Sequence, residues 1–306
     1  MIHVFGHYSP DTDATGSAII WAWYLKEHTG ADATPYVLGE LNSETLFVLQ
    51  RFGVSAPAIL ETLPDGAEVA IVDTNNPQEL PENIHKAQLV HLIDHHKLVG
   101  GLHTETPIDI TIRPAACTAT ILFDLMAIAP AELPPHIAGI MLSCILSDTL
   151  GFRSPTTTPH DQDVAERLAA ALGLSINDYA DELFAAKSDI SAFSDRGLIT
   201  LDSKKYAVGD KNFRVSVLET TNPSAVLDRK DGIIAAIKDT IANEADVDEI
   251  LFFIVDILQE EATVLTYNDL TTQVVTTSFG VTVENDTEVL PGIVSRKKQI
   301  LPALTM

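Results

Sequence analysis

Three apolar runs in the first hundred residues each stop on a histidine or an aspartate, and this pattern constrains the fold more than any other feature. Ile2-His3-Val4-Phe5 runs into Gly6-His7, Val69-Ala70-Ile71-Val72 into Asp73, and Leu89-Val90-His91-Leu92-Ile93 into Asp94-His95-His96. Short, nearly continuous apolar runs suit strands covered on both faces. Helical signals lie between and after them, at residues 14–26 (amphipathic), 44–52, 116–129, 135–147, 161–172 and 175–186, with a weak strand at Val37-Leu38. Strands separated by helices predict an α/β fold whose N-terminal sheet is mostly parallel and flanked by helices. In an open parallel sheet the carboxyl ends of the strands share one edge, and ligands bind in the crevice there. Three separated segments are therefore expected to deliver His7, Asp73 and the Asp94-His95-His96 trio to one place.

A chain of 306 residues exceeds what one hydrophobic core usually absorbs, so two domains are expected. The pattern changes after residues 187–191. Residues 205–208 and 213–218 read as a hairpin around Gly209-Asp210-Lys211-Asn212. A helix at 224–242 and strands at 250–257 and 262–267 complete a smaller α/β domain with a mixed sheet. The expected division is an N-terminal metal-binding catalytic domain at 1–187, a linker or hinge at 188–194, and a substrate-binding domain at 195–306.

The formal charge of −24 opposes long-range attraction to nucleic acid or anionic membranes. No apolar run reaches membrane-spanning length. The chain opens on a strand with no basic leader before it, so a soluble cytoplasmic protein is expected. Cys117 and Cys144 sit among small apolar residues without a CxxC partner. They read as free buried thiols, consistent with a reducing compartment. Against the acidic background Arg296-Lys297-Lys298 stands out, and the apolar residues on either side make it part of a folded element.

Each acidic or histidine motif has a plainer reading. Asp11 or Asp13 could simply cap the following helix, with His7 incidental. Asp73 could be a turn former. The Asp94-His95-His96 trio is harder to dismiss, because neutral imidazole is the commonest side-chain metal ligand and a nearby carboxylate orients its ring. Carboxylates crowded onto one edge repel each other unless cations sit between them. Mixed carboxylate and imidazole donors suit Mn²⁺, Mg²⁺, Co²⁺ or Zn²⁺. Two such ions can activate a water held between them and clamp the oxygens of a phosphoryl group.

With Gly6-His7-Tyr8-Ser9-Pro10-Asp11-Thr12-Asp13, Val72-Asp73, Asp94-His95-His96 and Leu142-Ser143 through Ser147-Asp148, the chain resembles the DHH phosphoesterase superfamily. Leu201-Asp202-Ser203-Lys204 and Ser295-Arg296-Lys297-Lys298-Gln299 make it most similar to the family II, manganese-dependent inorganic pyrophosphatases. The resemblance implies hydrolysis of pyrophosphate by a hydroxide bridging two Mn²⁺ ions, with Co²⁺ or Mg²⁺ as possible substitutes. His7 and Asp11 would bind the first ion, Asp13, His95 and Asp148 the second, and Asp73 both. Asp148 rests on the resemblance alone. His96 would meet the substrate phosphate, while Lys204, Arg296 and Lys297 would grip it from the second domain as that domain closes. Lys204 and Lys205 would face opposite sides of a strand, and the motif favours Lys204. A further Mg²⁺ arriving with substrate and a homodimer through the N-terminal domain are also implied. Thr74 departs from the histidine common after the bridging aspartate. Relatives with the same metal motifs act on short polyphosphate, small nucleotides or single-stranded nucleic acid, which is the alternative reading. The nucleases among them carry a glycine-rich motif that this second domain lacks.

Overall fold

Each apolar run becomes a strand of one parallel sheet. The strands β1 (Ile2–Phe5), β2 (Ala33–Val37), β3 (Ala58–Ile59), β4 (Glu68–Val72), β5 (Gln88–Asp94) and β6 (Asp109–Ile112) pair in the order β3-β2-β1-β4-β5-β6, every pair parallel. The structure, a computed structural model, describes every residue except Ala192, Asp210, Ala245 and Met306. Ala192 of the expected linker and Asp210 of the expected hairpin turn thus lie outside the described residues. The chain separates into two compact units, Met1–Ala186 and Lys187–Met306.

In the first unit, α1 (Thr12–Tyr24), α2 (Ser43–Arg51), α3 (Thr118–Met126), α4 (Pro135–Asp148), α5 (Pro159–Leu172) and α6 (Ile176–Lys187) all feed one core. Val4, Ala70, Val72 and Ile93 of the sheet face that core. The opposite face carries Phe5, Val69, Ile71, Leu89 and Leu92, covered by Leu38, Leu63, Leu80 and Ile84 from loops and 3₁₀ turns. Val69 pairs with Leu89 but Ala70 with His91, so Val90 is an extra residue in β5. The bulge changes the phase of the pleat. Leu89 and Leu92 therefore share a face although three positions apart.

The stretch read as amphipathic is instead buried continuously from Thr12 to Ala22. The reason is its neighbours: α1 packs against β1, β2, α3 and α4, leaving little of it to water. Gly16 permits that approach. A Cβ there would lie 2.3 Å from Cys144 Sγ and 2.8 Å from Ile140 Cγ2, both on α4. The edge strands β3 and β6 gave no sequence signal, being short and largely exposed.

The second unit comprises α7 (Asp195–Leu201), β7 (Ser203–Val208), β8 (Lys211–Thr220), α8 (Pro223–Leu227), α9 (Lys230–Asn243), β9 (Glu249–Asp256), β10 (Glu261–Leu265), α10 (Asp269–Phe279), β11 (Thr287–Pro291), a π-helical turn at Arg296–Ile300 and α11 (Leu301–Ala303). Its sheet runs β11-β10-β9-β8-β7, with β8 and β9 parallel and the other pairs antiparallel. Phe213, Val215, Leu251 and Phe253 pack with Val274, Val275 and Ile300 on one face. Ile250, Phe252 and Ile254 pack with Leu198, Ile233 and Ile237 on the other. The single helix expected at 224–242 is broken after Leu227. Arg229, in the break, donates from Nε to Asp195 (2.9 Å), from Nη1 to the Ile190 carbonyl (3.0 Å) and from Nη2 to the Phe193 carbonyl (2.8 Å). Among the described residues no helix is long and apolar enough to cross a membrane.

Candidate metal centre

The strand order reverses direction between β1 and β4, and a crevice opens at such a switch point beyond the carboxyl ends. His7 follows β1, Asp73 follows β4, and Asp94-His95-His96 closes β5. Asp11 is the N-cap of α1, its Oδ1 accepting from Ala14 N at 2.9 Å. The capping reading of Asp11 is therefore correct, and the other oxygen, Oδ2, still lies 3.8 Å from His7 Nε2. Asp13, two residues further in, is fully buried against the N-terminus of α3, taking Thr118 N at 2.6 Å and Ala119 N at 3.2 Å, with Ser17 Oγ at 2.8 Å. Asp148 ends α4.

Asp73 is the point of convergence. It is 1% exposed and sits at φ +60°, a left-handed conformation that aspartate tolerates better than most residues. Its Oδ2 lies 3.4 Å from His7 Nε2, and its Oδ1 lies 3.3 Å from His95 Nε2 and accepts from Thr118 Oγ1 at 3.0 Å. Both imidazoles have their orientation set from behind. His7 Nδ1 donates to the Tyr8 carbonyl (2.7 Å) and His95 Nδ1 to the Ala115 carbonyl (3.1 Å), so each turns Nε2 toward Asp73. Among the described residues, three groups have donor atoms within 4.8 Å of one another: His7, Asp11 and Asp73; Asp73, His95 and His96; Asp13, Cys117 and Asp148. The first two groups share Asp73.

The electrostatics suit a cation. Burial opposes charge on His7, yet Asp73 and Asp11 outweigh it and raise its pKa to about 9. His95 also reaches about 9, against burial, through Asp73 and Asp13. Burial would lift Asp73, but His7 and His95 hold it well below the usual carboxylate range. Asp13 is pushed up to about 7 by burial and the Asp73 charge. Burial and Asp13 push Asp148 well above its ordinary value. Protons thus occupy positions between carboxylates that divalent ions would neutralise more completely. The oxygen and nitrogen donors match hard or borderline ions such as Mn²⁺. Cys117 Sγ adjoins Asp13 and Asp148, but burial and Asp13 raise its pKa well above normal, leaving a neutral thiol.

The expected substrate cations lie in the second unit. Arg296 bonds both the carbonyl and the carboxylate of Asp202, at 2.9 and 2.8 Å, two residues before Lys204 on β7. Lys205 is committed elsewhere, to both Asp246 oxygens at 2.8 Å and to Glu244 at 3.3 Å. Among the described residues no ion pair engages Lys204 or Lys297. Gln299 staples the basic turn, its Oε1 accepting from Val294 N and Ser295 N, both at 2.9 Å.

Two residues that sequence reasoning passed over, Thr118 and Asn75, support the site, and Thr74, already singled out there, has a partner of its own. Thr118 binds both Asp13 and Asp73. Asn75 bonds Asp94. Thr74 donates to Glu79 at 2.7 Å, which ties it to the β4–β5 connection. Short polar residues in turns have too many roles for type and position alone to reveal these.

The description "DHH family, N-terminal domain" matches residues 1–145, and "DHHA2 domain" matches 181–306. A probable manganese-dependent inorganic pyrophosphatase of Deinococcus radiodurans is 40% identical over 99% of this chain and 98% of its own. One from Lactobacillus delbrueckii subsp. bulgaricus is 37% identical over 99% and 97%. A solved Methanococcus jannaschii structure, described as a family II inorganic pyrophosphatase, superposes with a TM-score of 0.64 at 34% identity, covering 99% of this chain and 98% of that one.

Proposed function

The chain belongs to the manganese-dependent, family II inorganic pyrophosphatases of the DHH superfamily, and from that premise we propose that it hydrolyses inorganic pyrophosphate to two phosphates at the carboxyl edge of β1, β4 and β5. The observation that carries this reading is Asp73, a buried carboxylate facing His7 through one oxygen and His95 through the other. That placement suits a ligand shared by two ions. His7 and Asp11 would complete one set, and Asp13, His95 and Asp148 the other. Bound there, two Mn²⁺ ions, or Co²⁺ or Mg²⁺ in their place, would supply an activated water and counter-charge for the phosphoryl oxygens, with a further Mg²⁺ accompanying the substrate.

The chain's own residues do the rest. A cleft of about 330 Å³ beside the centre is lined by His7, Ser9, Asn75, Glu79, His96 and Lys97, among others. His96 offers a proton or a positive charge to the phosphate there. Lys204, Arg296 and Lys297 neutralise the dianionic ends of the substrate, a task of positioning and charge more than of covalent chemistry. Closure of the second unit, hinged at 188–194 between a catalytic domain at 1–187 and a substrate domain at 195–306, would bring them to the phosphates and exclude water. A cytoplasmic homodimer joined through the N-terminal sheet is part of the same reading.

The test is phosphate release by metal-stripped protein reloaded with Mn²⁺ or with Mg²⁺ alone, using pyrophosphate, triphosphate and a dinucleotide. Pyrophosphate with Mn²⁺ is expected to turn over fastest. Asp73→Asn, which suits the same backbone conformation, should lose more than the roughly 100-fold that loss of an outer partner brings. Near-normal turnover in that variant removes the bridging role. Faster cleavage of the dinucleotide removes the substrate assignment.

A further inference from the structure

We propose that Asn75 is a positioning residue for the hydrolysis: acting through Asp94, it keeps the His96 ring out of the metal set and its Nε2 turned to the substrate. The inference rests on the pyrophosphatase reading and extends it to a residue outside the proposed metal ligands.

Asn75 is 2% exposed, two residues beyond the end of the switch-point strand's aspartate. Both its amide group and its carbonyl oxygen are engaged. Its Nδ2 donates to Asp94 Oδ2 at 2.5 Å and to the Lys97 carbonyl at 3.0 Å, and its Oδ1 accepts from Val99 N at 2.7 Å. Flipping the amide would set oxygen against two acceptors and NH₂ against a backbone donor, so these partners allow one orientation.

Asp94, fully buried, divides its oxygens. Oδ2 goes to Asn75, while Oδ1 accepts from His96 N at 3.0 Å and from His96 Nδ1 at 2.9 Å. His96 has two competing employments. Its Nδ1 also lies 3.8 Å from Asp73 Oδ1, and Asp73, His95 and His96 form one of the donor groups. A ring nitrogen that carries a proton toward Asp94 cannot ligate an ion, so the Asp94 bond decides between the two. Free to rotate about its carboxyl bond, Asp94 could release Nδ1. The Asn75 amide locks Oδ2 and so leaves Oδ1 to the histidine. The same amide ties down Lys97 and Val99, which line the cleft beside His96.

A double-mutant cycle on the Mn²⁺-loaded full chain tests this. Asn75→Ala is expected to lower kcat roughly 10–100-fold, the range for losing an outer partner, with KM and Mn²⁺ affinity within about twofold. In a His96→Gln background the same change should cost under about twofold, because its intermediary is gone. Equal losses in both backgrounds, no loss in either, or a loss that tracks Mn²⁺ release would each overturn the proposal. If Asn75→Ala does not fold, Asn75→Ser enters the same cycle. A histidine-ring NMR measurement on Mg²⁺-loaded protein separates this proposal from the reading beneath it. A slowly exchanging Nδ1 proton on His96 that disappears in the Asn75 variant supports the clamp even if pyrophosphate is not the substrate. Its persistence in the variant refutes the clamp even if pyrophosphate is the substrate.

Discussion

Two histidines and the Asp13 carboxyl group make the metal-free centre a store of protons. His7 and His95, with pKa values of about 9, are charged at neutral pH, and Asp13, at about 7, is half protonated. Metal ligation requires neutral imidazole and ionised carboxylate, so ions must displace those protons. Mn²⁺ binding at pH 7 is expected to release about two to three protons, read by calorimetry in buffers of different ionisation enthalpy. The linked stability effect has a definite sign. A raised folded-state pKa stabilises the metal-free chain below the unfolded value of 6.5, and that contribution is lost as pH rises through about 9. The Tm gap between Mn²⁺-loaded and metal-free protein should therefore widen from pH 6.5 to 9, and a constant gap would contradict the assignment. His7, Asp73 and the Asp94-His95-His96 trio are legible from sequence because each ends an apolar run. Asp148 is not, because the last turn of a helix has no periodic signature to mark a carboxylate that turns inward.

Secondary-structure elements place those residues through one close contact. α1 carries Asp13 and begins at the Asp11 cap, α4 carries Asp148, and the two meet at Gly16 against Cys144 and Ile140. Gly16→Ala is expected to force the helices apart, costing about 1–3 kcal/mol of stability and weakening Mn²⁺ binding in step. Thermal melts with and without Mn²⁺ check this, and an unchanged Tm would show that α4 yields without cost. The parallel strands are readable because burial on both faces removes polar alternation. The break at Arg229 is not, since the apolar spacing of residues 224–242 passes through it. It arises where the guanidinium leaves the helix to hold Ile190, Phe193 and Asp195. The amphipathic reading of α1 failed for a related reason: only its neighbours reveal that both of its faces are covered.

Across the whole molecule, anionic donors and cationic grips are segregated. All six proposed ligands belong to Met1–Ala186, and Lys204, Arg296 and Lys297 to Lys187–Met306. Each unit has its own cores. Residues 1–187 expressed alone are therefore expected to fold and bind Mn²⁺ as the full chain does, yet release no phosphate from pyrophosphate. Phosphate release by this fragment would show that the second unit is dispensable. The extra residue at Val90 has a consequence for how such a chain can vary in length. Loops that carry none of the proposed ligands can grow or shrink without rotating anything. Within residues 88–94 the bulge already absorbs the surplus: losing Val90 would restore the regular pleat and leave Leu92 and Ile93 on their present faces, whereas a second deletion would exchange the inward and outward neighbours of the positions after it. Lineages descending from this protein can shed Val90, but beyond that one residue β5 behaves as a reading frame, tolerant of substitution and intolerant of further deletion.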